Sequence, residues 1–160
     1  MPSAKTIFKA ALLVGTLDIA GALTQYYIKT GKAPFKPVLT FVASGLFGKA
    51  AFTNGDVMML AGLAIHYCIA AAFTILFFLT LAKASFAKEQ KLLTGVLYGA
   101  FVWFVMNVLV LPITNAPKLP KDFWGVAIGM LILIVCIGVP LAYMANTKNQ
   151  HGDSLVPRPA

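Results

Sequence analysis

The stretch GTLDIAG, residues 15–21, places the carboxylate of Asp18 inside a predominantly apolar run that extends from Ile7 to Leu23. A membrane span needs about 20 such residues to cross a hydrocarbon layer about 30 Å thick. A charged side chain in the middle of that layer costs at least about 2.5–3.5 kcal/mol. The sequence therefore predicts a membrane helix whose aspartate faces protein or water instead of lipid.

The composition of the chain points to the same class of protein. Of its 160 residues, 59% are hydrophobic and 11% are charged, whereas soluble proteins average about 45–50% and about 25%. The net charge of +8 comes from lysines near the ends of apolar runs, which suits anionic membrane lipids as partners. Nucleic acid would need a basic face on a folded domain, so we expect no nucleic-acid partner.

The order of apolar runs predicts an all-α integral membrane protein, formed by residues 1–153 as a single bundle. Its four transmembrane helices are expected at about 7–27, 57–82, 92–111 and 123–144. A further helix at about 38–52 would be only about 22 Å long, which predicts a short interfacial or re-entrant helix between spans 1 and 2. Residues 154–160 contain the thrombin-site-like sequence LVPR and are interpreted as an expression-tag remnant.

Spans 3 and 4 each carry two glycines four residues apart. These are Gly95 and Gly99 on span 3, and Gly125 and Gly129 on span 4. Because small residues at this spacing let helix backbones approach closely in lipid, we expect these two spans to pack against each other through them.

A depth count identifies a partner for Asp18. We call the side that holds the span 1–2 and span 3–4 connections side B, and the side that holds both termini side A. Asp18 lies nine residues before Tyr27 at the side B end of span 1, and His66 lies nine residues after Val57 at the side B end of span 2. At 1.5 Å per residue the two ionisable groups fall at equal depth on neighbouring antiparallel helices.

Helical phase extends this pair to a polar pocket that opens toward side B. Gln25 lies seven residues from Asp18, on the same face of span 1. Thr24, Gln25 and Asn107 are predicted to form the rim, and Asp18 and His66 the floor. Asn107 is alternatively an interhelical hydrogen-bonding residue.

Two further residues are candidates for the pocket. Trp103 lies one helical turn deeper than Asn107 and is either part of the pocket wall or a packing residue. Lys49, on the short helix, is either an anion or lipid-phosphate contact or a lysine that extends from apolar surroundings toward water.

The Asp18–His66 pair is expected to handle protons. A carboxylate and an imidazole in contact titrate as a unit and exchange one proton near neutral pH, as a proton relay or proton-coupled carrier requires. The alternative is that the pair only links two helices by a hydrogen bond. No Cys or Glu cluster accompanies His66 and no nucleophile shares its depth and face, so we expect no metal, no cofactor and no catalytic residue.

In the order GTLDIAG, ASGLFGKAAF, IHY, LYGAFVWFVMN and LPITNAP, the chain resembles small four-span bacterial inner-membrane proteins of the YagU kind. The residues that carry the resemblance include Asp18, Lys49, His66 and Asn107. The resemblance implies a multi-pass protein of the bacterial inner membrane and an unassigned function.

The leading functional hypothesis is passage of a proton or small polar solute by a transporter or channel, as a homo-oligomer if one bundle is too small for a pathway. A structural or accessory subunit and a membrane-embedded enzyme acting on lipid or quinone are the alternatives. The densest loop charge lies in residues 83–91 on side A, which favours cytoplasmic N- and C-termini.

Overall fold

A computed structural model describes residues 3–83, 89–118 and 122–147, and within these ranges every regular element is helical. Four of the helices are long and apolar enough to cross a membrane: α1 (Ala4–Thr30), α3 (Gly55–Thr80), α4 (Lys91–Ile113) and α5 (Phe123–Ala145). A short helix, α2 (Phe35–Phe47), lies between α1 and α3. The prediction of an all-α chain with four helices of span length is confirmed, and the predicted tag remnant at 154–160 lies outside the described residues.

Helix α1 extends three residues beyond the predicted 7–27 in each direction, and a capping residue stands at each end. Ser3 is the N-cap, and its hydroxyl accepts a hydrogen bond from the Thr6 N–H at 3.3 Å. At the other end, Gly31 adopts φ 65° and its N–H donates to the Tyr27 carbonyl at 2.8 Å. A left-handed residue of this kind ends a helix, and glycine adopts it without steric cost.

The segment predicted as one helix over 38–52 consists of two pieces. The α-helical piece begins at Phe35 and tolerates Pro37 because the N–H groups of a first helical turn have no partner within the helix. Gly48, with φ 57°, ends it, and a 3₁₀ helix, Gly48–Phe52, leads toward α3. Lys49 therefore lies on the 3₁₀ piece, beyond the end of α2.

Both α4 and α5 contain a π-helical stretch, at Val105–Val110 and at Ile134–Gly138. Each stretch stands shortly before a proline, Pro112 in α4 and Pro140 in α5. Because the wider turns already interrupt the regular i to i−4 hydrogen bonds, a proline that lacks an N–H removes little. This explains why α4 continues through Pro112 to Ile113, two residues beyond the predicted span of 92–111.

Helices approach each other most closely at glycines, which have no side chain. A Cβ at Gly62 of α3 would overlap the α2 backbone at Leu39, and Cβ atoms at Gly95 and Gly99 would overlap the α5 backbone near Val139 and Ile134. The predicted role of the α4 glycines therefore holds in geometry. Gly125 and Gly129 do not face them: a Cβ at Gly125 would meet Asp122, and one at Gly129 would be in ordinary contact with Trp103. The α5 glycine that faces the α4 pair is Gly138, which approaches the Gly95 backbone.

The hydrophobic core occupies the side A half of the bundle. Its buried members come from all four long helices and are Ala10, Val14, Phe77, Phe78, Tyr98, Val102, Ile137, Leu141 and Ala142. The candidate site lies in the side B half.

Candidate functional site

Asp18 of α1 and His66 of α3 face each other between the two helices. The His66 Nδ1 lies 4.0 Å from Asp18 Oδ2, and the two side chains keep only 11% and 19% of their surface exposed, respectively. This distance allows an ion pair but is longer than a hydrogen bond. The two residues that the depth count paired therefore do lie next to each other.

The other ring nitrogen of His66 fixes the orientation of the imidazole. Nε2 lies 2.8 Å from the carbonyl oxygen of Gly15. A carbonyl only accepts hydrogen bonds, so Nε2 carries the hydrogen. Nδ1, which points toward Asp18, is then a lone-pair acceptor in the neutral ring and a second N–H in the imidazolium.

The next turn strengthens the same contact between α1 and α3. The Thr16 hydroxyl and the Tyr67 hydroxyl form a hydrogen bond at 2.8 Å, and the rings of His66 and Tyr67 meet edge to face with centroids 5.6 Å apart. These contacts hold the imidazole on α3 opposite Asp18.

A cavity of about 980 Å³ lies on the side B half, between α1, α2, α4 and α5. Asp18 lines it together with Trp103, Ile132 and Leu133, while Lys29 and Asp122 line it at the ends of α1 and α5. Eleven residues separate Asp18 from Lys29 along α1, or about 16 Å. The carboxylate therefore marks the inner end of the cavity and the Lys29 region marks its mouth.

The predicted pocket residues divide into two groups. Four of them line the cavity: Asp18, Gln25, Trp103 and Asn107. Gln25 donates from Nε2 to the Gly125 carbonyl at 3.2 Å, and Asn107 donates from Nδ2 to the Trp103 carbonyl at 3.1 Å. Both amides thus bond to backbone while their side chains border the cavity.

The other three predicted residues do not line the cavity. His66 stands behind Asp18, bound to Gly15. Thr24 lies about 100° from Gln25 around the helix and therefore faces away from the cavity. Its exposed side chain donates to the Ala20 carbonyl at 2.8 Å. Lys49 is exposed on the 3₁₀ piece and is not among the lining residues. Thr24 and Lys49 therefore do not line this cavity, and the contacts proposed for Lys49 stay predictions.

An ion pair at the mouth was not predicted. The Lys29 ammonium donates to Asp122 Oδ1 at 2.6 Å, and Asp122 Oδ2 accepts from the Gly125 N–H at 3.0 Å, which caps α5. The Lys29 hydrogen bond, and then the Gly125 N–H, hold the pKa of Asp122 below its ordinary value. Both residues occupy side B ends of their helices, so the same depth count applied to helix ends would have found this pair.

The sequence also did not predict the cavity wall formed by α2 and the 3₁₀ piece. Pro37, Val38 and Phe41 of α2 and Phe52 of the 3₁₀ piece form one side. Their contribution depends on how α2 lies against α3, which neither depth nor phase predicts for a helix that does not cross.

No group of three or more His, Cys, Asp and Glu side chains that could hold a metal ion occurs in residues 3–83, 89–118 and 122–147. An enzyme that acts on lipid or quinone at His66 would need an apolar groove leading to the imidazole. This cavity does not provide one, because it ends at Asp18 and not at His66.

No protein-family model matches the chain, and no curated protein and no solved structure matches it either. The resemblance to YagU-like proteins therefore stays a prediction.

Proposed function

We propose that this chain is a multi-pass protein of the bacterial inner membrane that passes protons, alone or with a small solute, and that Asp18 and His66 handle the proton. The observation that carries the proposal is that the cavity ends at Asp18, with His66 4.0 Å behind it. A solute that enters from side B thus reaches an ionisable pair about halfway along the bundle.

The cost of burying charge supports this role. An intramembrane carboxylate persists where it has a partner or a function, and those that face an internal cavity commonly mark a proton or solute pathway. The Nε2 hydrogen is engaged by Gly15, so proton exchange between the two side chains involves Nδ1 and the Asp18 oxygens. A small relative movement of α1 and α3 would shorten the 4.0 Å separation to hydrogen-bonding distance.

Exposed apolar side chains support membrane lipids as the surrounding medium. Large hydrophobic residues on the outer faces of all four long helices are exposed, among them Leu13, Leu60, Phe101 and Val135. Such a surface promotes aggregation in water. It is the normal outer surface of a helical bundle in a membrane. We place both termini in the cytoplasm and allow for a homo-oligomer, as the charge pattern and the small bundle suggest.

The test uses the full chain in lipid vesicles with a pH-sensitive dye inside. A pH step should produce proton flux in wild type and none in Asp18→Asn, with both proteins equally inserted and folded. Asp56→Asn is the matched control, because Asp56 is an exposed carboxylate in the first turn of α3 and its removal should leave flux unchanged. Equal flux in wild type and Asp18→Asn would refute the proposal.

A structural or accessory role is the second candidate, and the His66–Gly15 hydrogen bond favours it. That bond joins α3 to α1 without any proton transfer. This role predicts that His66 variants lose thermal stability in detergent and that wild type carries no flux.

A further inference from the structure

We propose that the cavity binds an organic monovalent cation with an apolar body, whose positive charge lies beside Asp18. This inference rests on the proposed transport function and names the class of its solute. It is argued from the distribution of charge, the acceptor capacity of Asp18 and the character of the walls.

The ionisable side chain at the inner end of the cavity is a carboxylate, that of Asp18. The charged residues that line the cavity are Asp18, Lys29, Lys118 and Asp122. The last three lie at helix ends or in the connection between α4 and α5, and Lys29 is neutralised by Asp122 at 2.6 Å. An anion that filled the cavity would bring its charge toward Asp18 and be repelled, whereas a cation would be stabilised there.

Asp18 keeps acceptor capacity on the cavity side. Its contact with His66 is 4.0 Å long, which exceeds hydrogen-bonding distance. A carboxylate has about four lone-pair sites, and one ion-pair contact from behind does not occupy those that border the cavity. A cationic group of the ligand would fill this place.

The walls fit an apolar body. The volume of about 980 Å³ is at the upper end of the range for drug-sized ligands, about 300–1,000 Å³. Phe41, Phe52 and Trp103 contribute aromatic rings. Ile132 and Leu133 contribute branched aliphatic side chains. Aromatic faces attract cations, tryptophan most strongly.

The same walls argue against a metal ion as the solute. Hard cations such as Ca²⁺ take six or more oxygen ligands, whereas Asp18 is the one carboxylate among the lining residues at the inner end of the cavity. Even with one amide oxygen each from Gln25 and Asn107, the two Asp18 oxygens would make only four protein ligands, fewer than six. An organic cation needs a counter-ion and apolar contacts, and the cavity offers both.

Lys118 at the rim opposes the entry of cations but has little influence on their bound state. Its side chain is exposed, and solvent-exposed charges separated by more than about 8–10 Å are largely screened at physiological salt. A rim charge of this kind changes the association rate and its salt dependence more than the affinity.

The experiment measures binding of three probes of similar shape to the purified full chain in detergent. They are tetraphenylphosphonium, the neutral triphenylphosphine oxide and the anion tetraphenylborate. The chain has two tryptophans, and Trp124 is 73% exposed, so Trp124→Phe leaves Trp103 as the reporter in the cavity. Equilibrium dialysis against protein-free micelles corrects for partitioning into detergent.

We expect tetraphenylphosphonium to bind at least about tenfold more tightly than either analogue and to change Trp103 fluorescence. Asp18→Asn should abolish the preference for the cation, and Asp56→Asn should retain it. Equal binding of the three probes, or a preference that persists in Asp18→Asn, would overturn the inference.

A second variant keeps the test decisive if Asp18→Asn does not fold. A Cβ at Gly129 would meet the Trp103 Nε1 at 3.7 Å, which is ordinary contact, and Gly129 lines the cavity. Gly129→Leu should fill the cavity and weaken cation binding at least tenfold, and unchanged binding would contradict the inference.

The two experiments distinguish the failure of this binding inference from the failure of the proposed transport function. Selective, Asp18-dependent cation binding without proton flux in vesicles would refute transport and leave the binding site in place. Asp18-dependent proton flux without cation preference would refute the binding site and leave transport in place.

Discussion

Nε2 of His66 lies 2.8 Å from the carbonyl oxygen of Gly15, so that the imidazole links α3 to α1 at the depth of Asp18. The link is buried, with 9% of His66 exposed. A buried hydrogen bond of this kind stabilises a fold modestly, but the loss of one partner leaves the other unsatisfied.

His66→Leu should therefore lower the free energy of unfolding by about 1–3 kcal/mol. The substitution removes the hydrogen bond to the Gly15 carbonyl, leaves that carbonyl unsatisfied and places an apolar side chain beside Asp18. His66→Gln retains an N–H donor and should recover part of this loss. Thermal unfolding in detergent, followed by circular dichroism, measures both. A His66→Leu protein as stable as wild type would contradict the structural link.

Gly99→Ala should destabilise the contact between α4 and α5. A Cβ at Gly99 would overlap the Ile134 backbone, and overpacking of this kind costs about 1–3 kcal/mol. Gly129→Ala is the matched control on the facing helix, because its Cβ would make an ordinary contact with Trp103. Both substitutions improve helix propensity by up to about 1 kcal/mol, so the difference between their unfolding temperatures isolates the clash. Equal temperatures would refute the close approach.

Tyr98→Phe should cost about 0.5–1.5 kcal/mol. The Tyr98 hydroxyl donates to the Phe73 carbonyl at 2.5 Å, and its ring meets Phe77 edge to face at 4.9 Å. The phenylalanine keeps the ring contact and loses only the hydrogen bond. Tyr98→Ala also removes the ring and should cost about 3–5 kcal/mol, as large aromatic truncations do. Chemical unfolding in detergent distinguishes the two, and equal effects would contradict the separate role of the hydroxyl.

The Lys29–Asp122 pair should make stability depend on pH in the acid range. Since the folded state lowers the pKa of Asp122, the stabilisation is fully present above the ordinary aspartate pKa of about 4 and is lost as the pH falls through the lower, folded pKa. The unfolding temperature of wild type should exceed that of Asp122→Asn at neutral pH, and the two should converge as the pH falls below about 4.

Asparagine is the suitable substitution for Asp122 because it still caps a helix, so that only the charge is removed. Asp122→Ala also removes the cap of α5 and should be less stable than Asp122→Asn at every pH. A gap between wild type and Asp122→Asn that stays constant across the acid range would show that the ion pair does not contribute.

The sequence predicted those features that depend on helix rise and phase. Equal depth on antiparallel helices brought Asp18 to His66, and a spacing of seven residues put Gln25 on the face of Asp18 that borders the cavity. Thr24 was misassigned because the residue next to Gln25 lies about 100° away around α1. Depth along the long helices and the phase of Gln25 were therefore predicted correctly, and the phase of Thr24 was not.

The placement of α2 depended on contacts that sequence patterns do not encode. Gly62 admits the backbone of α2 at Leu39, and the Asn115 N–H donates to the Gly45 carbonyl at 3.1 Å. These two contacts hold α2 between α3 and the connection that follows α4. Phe41 and Phe52 reach the cavity as a result, whereas Lys49, past the left-handed Gly48, does not line it.

The apolar core on side A has a second consequence. Val14, Tyr98, Val102 and Ile137 are almost completely buried there, and they lie beyond Asp18 on the way from the cavity to the opposite end of the bundle. If solutes pass through the bundle as proposed, the same side chains that hold the four helices together would close the pathway at this level. Release on the far side would require these buried side chains to separate.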